Sequence, residues 1–422
     1  KSTRKMITIR PFKGFRPPVE IAPKVASRPY DVLNSAEARA ERQDNDYSFL
    51  RINKPEVDLA EGVDAYSDEV YEKGRKNLDA FINDGWLVQD SSESYYIYRQ
   101  KMGDHEQTGL VACSWIEDYF SDRIKKHEFT RPKKENDRIR HMATLGAHVG
   151  PVFLTYPAQD DIDSIINEVT LNEEPVYDFD SGDGVKHSFW VLDDKEKVSR
   201  LSDLFSRNVH ASYIADGHHR AASSAKVGLQ LKENNPSHNG AEDYNFFLSV
   251  LFPDNQLQII DYNRVITDLN DHGKEDFLAL LSGRFEVEKH GKNAVKPQVL
   301  HEFGMYIDGE WYKLRAKEEI LNDDDPIGVL DITVLSENVL DPILGIKDQR
   351  TDERIDFVGG IRGMSELERR VDSGEMKIAF SIFPVTVQQL INIADSGTVM
   401  PPKTTWFEPK LRSGLIIHRF RD

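Results

Sequence analysis

The run Tyr213-Ile214-Ala215-Asp216-Gly217-His218-His219-Arg220 constrains the fold more than any other stretch of the chain. An apolar strand has to end at Asp216, because Gly217 turns the backbone sharply in a way that other residues resist. The alanine-rich segment from Arg220 to Leu231 follows and reads as a helix. A helix that starts at such a turn leaves its first amide N–H groups without intrahelical partners, and its dipole favours negative charge there. An anion at a helix start is a recurrent result. His218, His219 and Arg220 could add three donors around the same point. Arginine's planar fork suits phosphate oxygens, and histidine can pass a proton near neutral pH. Asp216, Gly217, His218, His219 and Arg220 therefore form the candidate phosphate or nucleotide site, with His218 and His219 also candidates for catalysis. Two plainer readings stand beside it. Histidines at a helix start often only cap it or face solvent, and adjacent histidines rarely chelate one metal ion.

A second cluster, Ile124-Lys125-Lys126-His127-Glu128-Phe129-Thr130-Arg131-Pro132, places a histidine, an acid, a hydroxyl and an arginine after a short strand. Glu128 could act as a general base if it shares the pocket, with His127, Thr130 and Arg131 binding substrate. Alone, the run reads as a solvated turn. Arg99, with Gln107, could enter the same cleft from a neighbouring hairpin. Lys403, with Thr404 and Thr405, could contact a phosphate from the proline-rich loop Met400 to Lys410, or that loop could brace a domain interface. Arg28, Tyr30 and Asp31 could point into that cleft too, but read better as a structural turn. Asp323-Asp324-Asp325 reads as a solvated loop rather than a magnesium site. The glycine-rich Val358 to Gly363 matches neither a P-loop nor a dinucleotide fingerprint.

Charge and cysteine usage narrow the partners. Acidic residues outnumber basic ones 72 to 54, for a net charge of -18, and no long basic run offsets that field. Nucleic acid is therefore not an expected partner. Cys113 is the sole cysteine, which excludes an intrachain disulfide and fits a reducing cytoplasm. No apolar stretch approaches the ~20 residues that cross a membrane. Lys1 to Lys5 is basic but precedes no apolar segment, so it is no secretory signal, and Met6 could be the native start. The expectation is a soluble cytoplasmic protein.

The periodicity predicts an α+β chain in three parts. Residues 1–120 form an N-terminal α/β segment, 121–266 a mixed core carrying an insertion over 158–210, and 267–422 a C-terminal α+β domain. Within the core, 246–252 and 256–265 read as a hairpin across Asp254-Asn255.

In order, Ile124 to Pro132, Glu135 to Ala147, Val152 to Tyr156 and Ile214 to Ala222 resemble the core of the ParB/sulfiredoxin-like superfamily. The sulfiredoxin cysteine is missing, since position 218 is histidine, and no helix-turn-helix supports chromosome partitioning. Asp216 to Arg220 resembles most closely the free-serine kinases of that superfamily. Over nearly its full length the chain also looks like the bacterial domain of unknown function family 1015. The matching stretches include Arg28 to Val32, Ser48 to Arg51, Tyr98 to Gln100, His127 to Pro132, Gly150 to Leu154, Tyr213 to Arg220, Tyr262 to Val265 and Met400 to Lys410. The kinase resemblance implies a small-molecule phosphotransferase using ATP or ADP with Mg2+, free serine or a similar hydroxy-amino acid as acceptor, and Glu128 as base. Phosphoserine hydrolysis would use the same groups. The ParB side implies instead a non-catalytic nucleotide-binding switch or sensor. No residue is singled out as a metal ligand, and the oligomeric state is left open.

Overall fold

The computed structural model describes residues 6–421 and divides into two units. The first runs to Leu257 and takes back the segment from Pro409; the second is Gln258–Glu408. The basic Lys1 to Lys5 lies outside the described residues.

The first unit is built on a nine-stranded mixed sheet. Its strands are β1 (Ile9–Arg10), β2 (Tyr95–Met102), β3 (His105–Trp115), β4 (Ile124–Lys125), β5 (Val152–Tyr156), β6 (Tyr177–Asp180), β7 (Val185–Leu192), β8 (Ser212–Asp216) and β9 (Phe246–Pro253). They lie in the order β4-β8-β5-β9-β3-β2-β7-β6, with β1 also paired to β3. Aromatic and β-branched residues dominate β2, β5 and β9, which suits a pleated, covered surface. Every residue of β5 and β9 is buried, so these strands read as continuous apolar runs rather than alternating ones. The β2–β3 hairpin closes at Gly103, φ 58°, with Met102 opposite His105.

Helices cover the sheet where their apolar stripes demand it. The insertion supplies Asp160–Asn172 and Lys195–Asn208, whose Ile162, Ile165, Ile166, Leu201 and Phe205 join Tyr95, Ile97, Leu110 and Leu154 in one core. Each such buried side chain stabilises the fold by about 1.5–3 kcal/mol. Three further helices matter for the site: α1 (Asp68–Asn83), α2 (Pro132–Leu145) and α3 (His218–Glu233). Helix α2 starts with proline, whose missing N–H costs nothing there, and stops at Gly146 with φ 66°. Asn34 caps the helix Ser35–Arg42 in a reciprocal box with Glu37.

The second unit carries a six-stranded antiparallel sheet in the order Phe285–Gly291, Glu310–Ala316, Glu302–Ile307, Ile378–Ile382, Tyr262–Ile266, Ile355–Gly359. Val265, Tyr306, Trp311, Leu367 and Val371 form its core. Arg264 is fully buried there, with its guanidinium over the Phe357 ring and donating to Gln349 and to the carbonyls of Tyr262 and Pro402. Burial pulls its pKa down to about 9.

Several expected features differ. Strand β9 forms no hairpin with the segment that follows, because both its edges are taken, by β3 antiparallel and β5 parallel. Tyr262–Ile266 pairs instead within the second sheet. Residues 1–120 are not a separate layer, since β2 and β3 are internal strands of the main sheet. The last residues do not stay with the C-terminal domain. Leu415, Ile416 and Ile417 are buried in the first unit, where Ile417 bridges Phe15 and His418 pairs with His148. The amphipathic helix Met364–Asp372 follows the glycine-rich turn and was not anticipated.

Candidate functional site

Strand direction assembles the site. β4 and β8 are parallel, with Tyr213 beside Lys125, so their carboxyl ends reach the same edge of the sheet. β5 is antiparallel to β8, with Phe153 beside Asp216, so its amino end, preceded by Gly150-Pro151, arrives there too. Three segments distant in sequence thus converge where α3 begins.

The Asp-Gly turn behaves as its sequence demands. Gly217 is the N-cap of α3 at φ 94°, ψ 34°, a left-handed conformation that glycine tolerates, and it brings no side chain to cap the first amides. A Cβ at this position would sit 3.1 Å from the Nε and Cζ of Arg220. The guanidinium has folded back beneath its own turn. Its Nη1 donates to the Pro151 carbonyl, and Nη2 lies 3.5 Å from Asp216 and 3.8 Å from Asp31. Burial works against the Arg220 charge, but Asp31 and Asp216 outweigh it and hold its pKa up. Its Nε is buried with no hydrogen-bond partner among the described residues. Lys410, from the returning C-terminal segment, stands 3.5 Å from Asp216.

The two histidines act as staples. The backbone N–H of His127 donates to His218 Nε2 at 3.4 Å, and that of Arg131 donates to His219 Nε2 at 3.0 Å. The rings of His127 and His218 meet edge to face, 4.4 Å between centroids. The loop that contains Glu128, Phe129 and Thr130 is therefore pinned at both ends to the start of α3. Burial drives the His127 pKa down to about 4, against Asp216, and drives His218 well below the histidine range, with His127 adding to the effect. Both are neutral at pH 7. This corrects the picture of three donors around one anion: His218 is a buried acceptor through Nε2, and Arg220 braces the turn.

Below the loop, the Thr130 hydroxyl donates to Glu135 at 2.6 Å, Lys226 pairs with the same carboxylate, and Ser223 donates to the Glu135 carbonyl at 3.1 Å. Burial raises the Glu135 pKa, yet Lys226 and Thr130 outweigh it and keep the carboxyl below its usual range. Ser223, small and buried on α3, allows that close approach to α2, while Ala221 and Ala225 pack into the sheet core.

Of the residues singled out from the sequence, His127, Glu128, Thr130 and Arg131 are thus joined to Asp216, Gly217, His218, His219 and Arg220. Arg99 is not. It sits on β2, four strands from β8, roughly 19 Å away at ordinary strand spacing. There its Nε donates to Thr108 at 3.1 Å, pairs with Glu106 at 3.4 Å and lies over Trp190. Gln107 is fully buried against Gln100. Lys403 belongs to the second unit, in a turn at φ 54°. Asp31 and Lys410 were not counted as site residues. Their signal was present in the Arg-Pro-Tyr-Asp and Glu-Pro-Lys runs, but nothing local tied either to the Asp-Gly turn. Among the described residues, no three His, Cys, Asp or Glu side chains cluster so as to hold a metal ion, and no helix is long and apolar enough to cross a membrane.

Comparison with known proteins adds a family. No curated protein matches the chain. Among solved structures, a mutant free serine kinase in complex with AMP is 15% identical, with 70% of this chain and 89% of that chain covered and a TM-score of 0.35. A conserved hypothetical protein from Pyrococcus furiosus is 16% identical, covering 70% and 93%, at a TM-score of 0.33. SbnI from Staphylococcus aureus, truncated at its C-terminus, is 10% identical, covering 72% and 85%, at 0.34. The family described as Protein of unknown function (DUF1015) matches residues 9–333, and the chain belongs to that family.

Proposed function

We propose that this chain is a small-molecule phosphotransferase that holds nucleotide phosphates at the start of α3 and phosphorylates free serine or a similar hydroxy-amino acid. The observation that carries the reading is the pair of staples, His218 to His127 and His219 to Arg131, which holds the Glu128 loop against a helix start whose N-cap is glycine. The resemblance of Asp216 to Arg220 to the free-serine kinase motif points the same way.

In this reading the start of α3 takes the phosphate oxygens, because the helix dipole favours negative charge there. His218 and His219 set the loop and the turn, and Arg220 with Lys410 fixes the Asp216 carboxylate. Glu128 accepts the proton of the acceptor hydroxyl as its oxygen attacks phosphorus and the bond to the departing nucleotide breaks. Mg2+ would enter with the nucleotide, keep several waters and neutralise phosphoryl charge; Asp216, already paired with Arg220 and Lys410, would be the carboxylate at the turn to hold it.

Phosphorus NMR of the protein with Mg2+, ATP or ADP, and free serine tests the proposal, beside a tube of phosphoserine alone. A nucleotide-dependent phosphoserine peak is expected, lost in Glu128→Gln and strongly reduced in His219→Ala. Nucleotide binding without any phosphoserine would sink the kinase reading in favour of a switch. Phosphate released from phosphoserine alone would move the same groups to hydrolysis.

A further inference from the structure

A cavity of about 170 Å³ opens in the first unit between the Tyr30-Asp31 turn, the segment Asn53 to Glu56, the amino end of α1 and the flank of α2. We propose that it is the acceptor pocket, built for a small zwitterion such as a hydroxy-amino acid; this rests on the phosphotransferase reading above.

Four observations carry it. The first is position. Asp31 lines the cavity and lies 3.8 Å from Arg220, so the pocket is one ion pair from the start of α3. Its α2 wall, with Asp137, Arg138 and His141, grows directly out of the stapled loop. The second is charge. Lys54 faces Glu56 at 3.1 Å and Arg138 pairs with Asp137 at 2.7 Å, so the walls present both signs with no excess of either. A zwitterion finds a partner for its carboxylate and for its ammonium in such a pocket, whereas a phosphate or a simple cation would meet as much repulsion as attraction.

The third is an orphaned group. Asn53 is 3% exposed, and its amide Nδ2 has no hydrogen-bond partner among the described residues. Asn53 lines the cavity, and a buried donor left unpaired costs free energy that a ligand acceptor reaching it would recover. The fourth concerns the aromatic residues. The Tyr30 ring is covered by Arg138 at 4.1 Å, Tyr66 by Lys133 at 4.7 Å and Tyr71 by Arg140 at 4.6 Å. Faces already held by cations are poor platforms for a nucleobase. The volume holds roughly five or six waters, enough for one small amino acid and too little for a nucleoside.

Isothermal titration of the full chain tests this, with L-serine, L-threonine, L-homoserine and glycine, each with and without saturating ADP. Ala65→Phe fills the cavity from its lining without removing a charge. Lys54→Met keeps the side-chain length and removes only the ammonium. The expected result is hydroxy-amino acid binding weakened about tenfold or more in both variants, with ADP affinity within about twofold of wild type. Far-UV circular dichroism confirms folding for each. Amino acid binding unchanged in Ala65→Phe, or absent from wild type at millimolar ligand, would overturn the pocket. If ADP fails to bind wild type, the phosphate-site reading falls; amino acid binding lost in the two variants still upholds the pocket, and binding retained overturns it.

Discussion

Replacing Gly217 by alanine should damage the site in a way that a matched glycine elsewhere does not. Gly217 sits at φ 94° with a prospective Cβ 3.1 Å from Arg220 Nε and Cζ and 3.2 Å from Nη2, while Gly240 sits at φ 92° with nothing within 4 Å. Both substitutions force an L-residue into the left-handed region, at about 1–2 kcal/mol. Both also recover about 0.4–1 kcal/mol by restricting the unfolded chain. Gly240→Ala should therefore cost at most about 1.6 kcal/mol. At Gly217 the guanidinium must also retreat. That loosens a charged donor from the Pro151 carbonyl, and hydrogen bonds to charged groups contribute about 1.5–3 kcal/mol. The total for Gly217→Ala is about 2–4 kcal/mol, or roughly 5–10 °C in Tm for a unit of this size, against a few degrees for Gly240→Ala. Urea unfolding and calorimetry measure the stability gap, and titration with ADP measures the site. ADP affinity should fall in Gly217→Ala alone. Equal losses of stability and unchanged ADP binding in both variants would refute the argument that Arg220 and the turn form one unit.

Other consequences are equally open to measurement. Burial lowers His127 to about 4 and His141, His187 and His418 to about 3, from an ordinary 6.5. The unfolded chain protonates first, so the stability of the first unit is complete above pH 6.5 and falls as pH drops towards 4. At pH 4.5 the loss is about 2–3 kcal/mol per histidine, to be read from urea midpoints at pH 7, 5.5 and 4.5. A flat profile over that range would contradict it, and His187→Gln should make the slope shallower. Arg99→Ala should leave ADP binding and any turnover untouched, because it and its partners Thr108, Glu106 and Trp190 sit three or more strands from β8; an effect on ADP affinity would show that the strand order misleads. Glu128→Gln should abolish phosphoserine formation by at least a hundredfold while ADP still binds, as removal of a general base predicts (~10²–10⁴-fold). Retained turnover would remove Glu128 from the chemistry.

The sequence by itself determined what depends on a few neighbouring residues. The Asp216-Gly217 turn and the helix that starts just after it were readable, because backbone sterics and helix-end hydrogen bonds act within about one turn of chain. The family was legible for a related reason, since several short motifs keep their order along the chain. What only the tertiary structure decided depends on residues far apart in sequence. A turn-forming Asp254-Asn255 suggested a hairpin, but β9 had both edges filled, and strand pairing is a competition across the whole sheet. The same competition carried Arg99 away from the site, while Asp31 reached it from a short turn far off in sequence, through its pair with Arg220. Two consecutive histidines looked like donors to an anion. Their rings are instead acceptors for the backbone of a loop some ninety residues earlier, and the one at 218 is neutral through burial, which no local pattern encodes. Desolvation sums over every neighbour, so the charge of a site is settled only when the chain has closed around it.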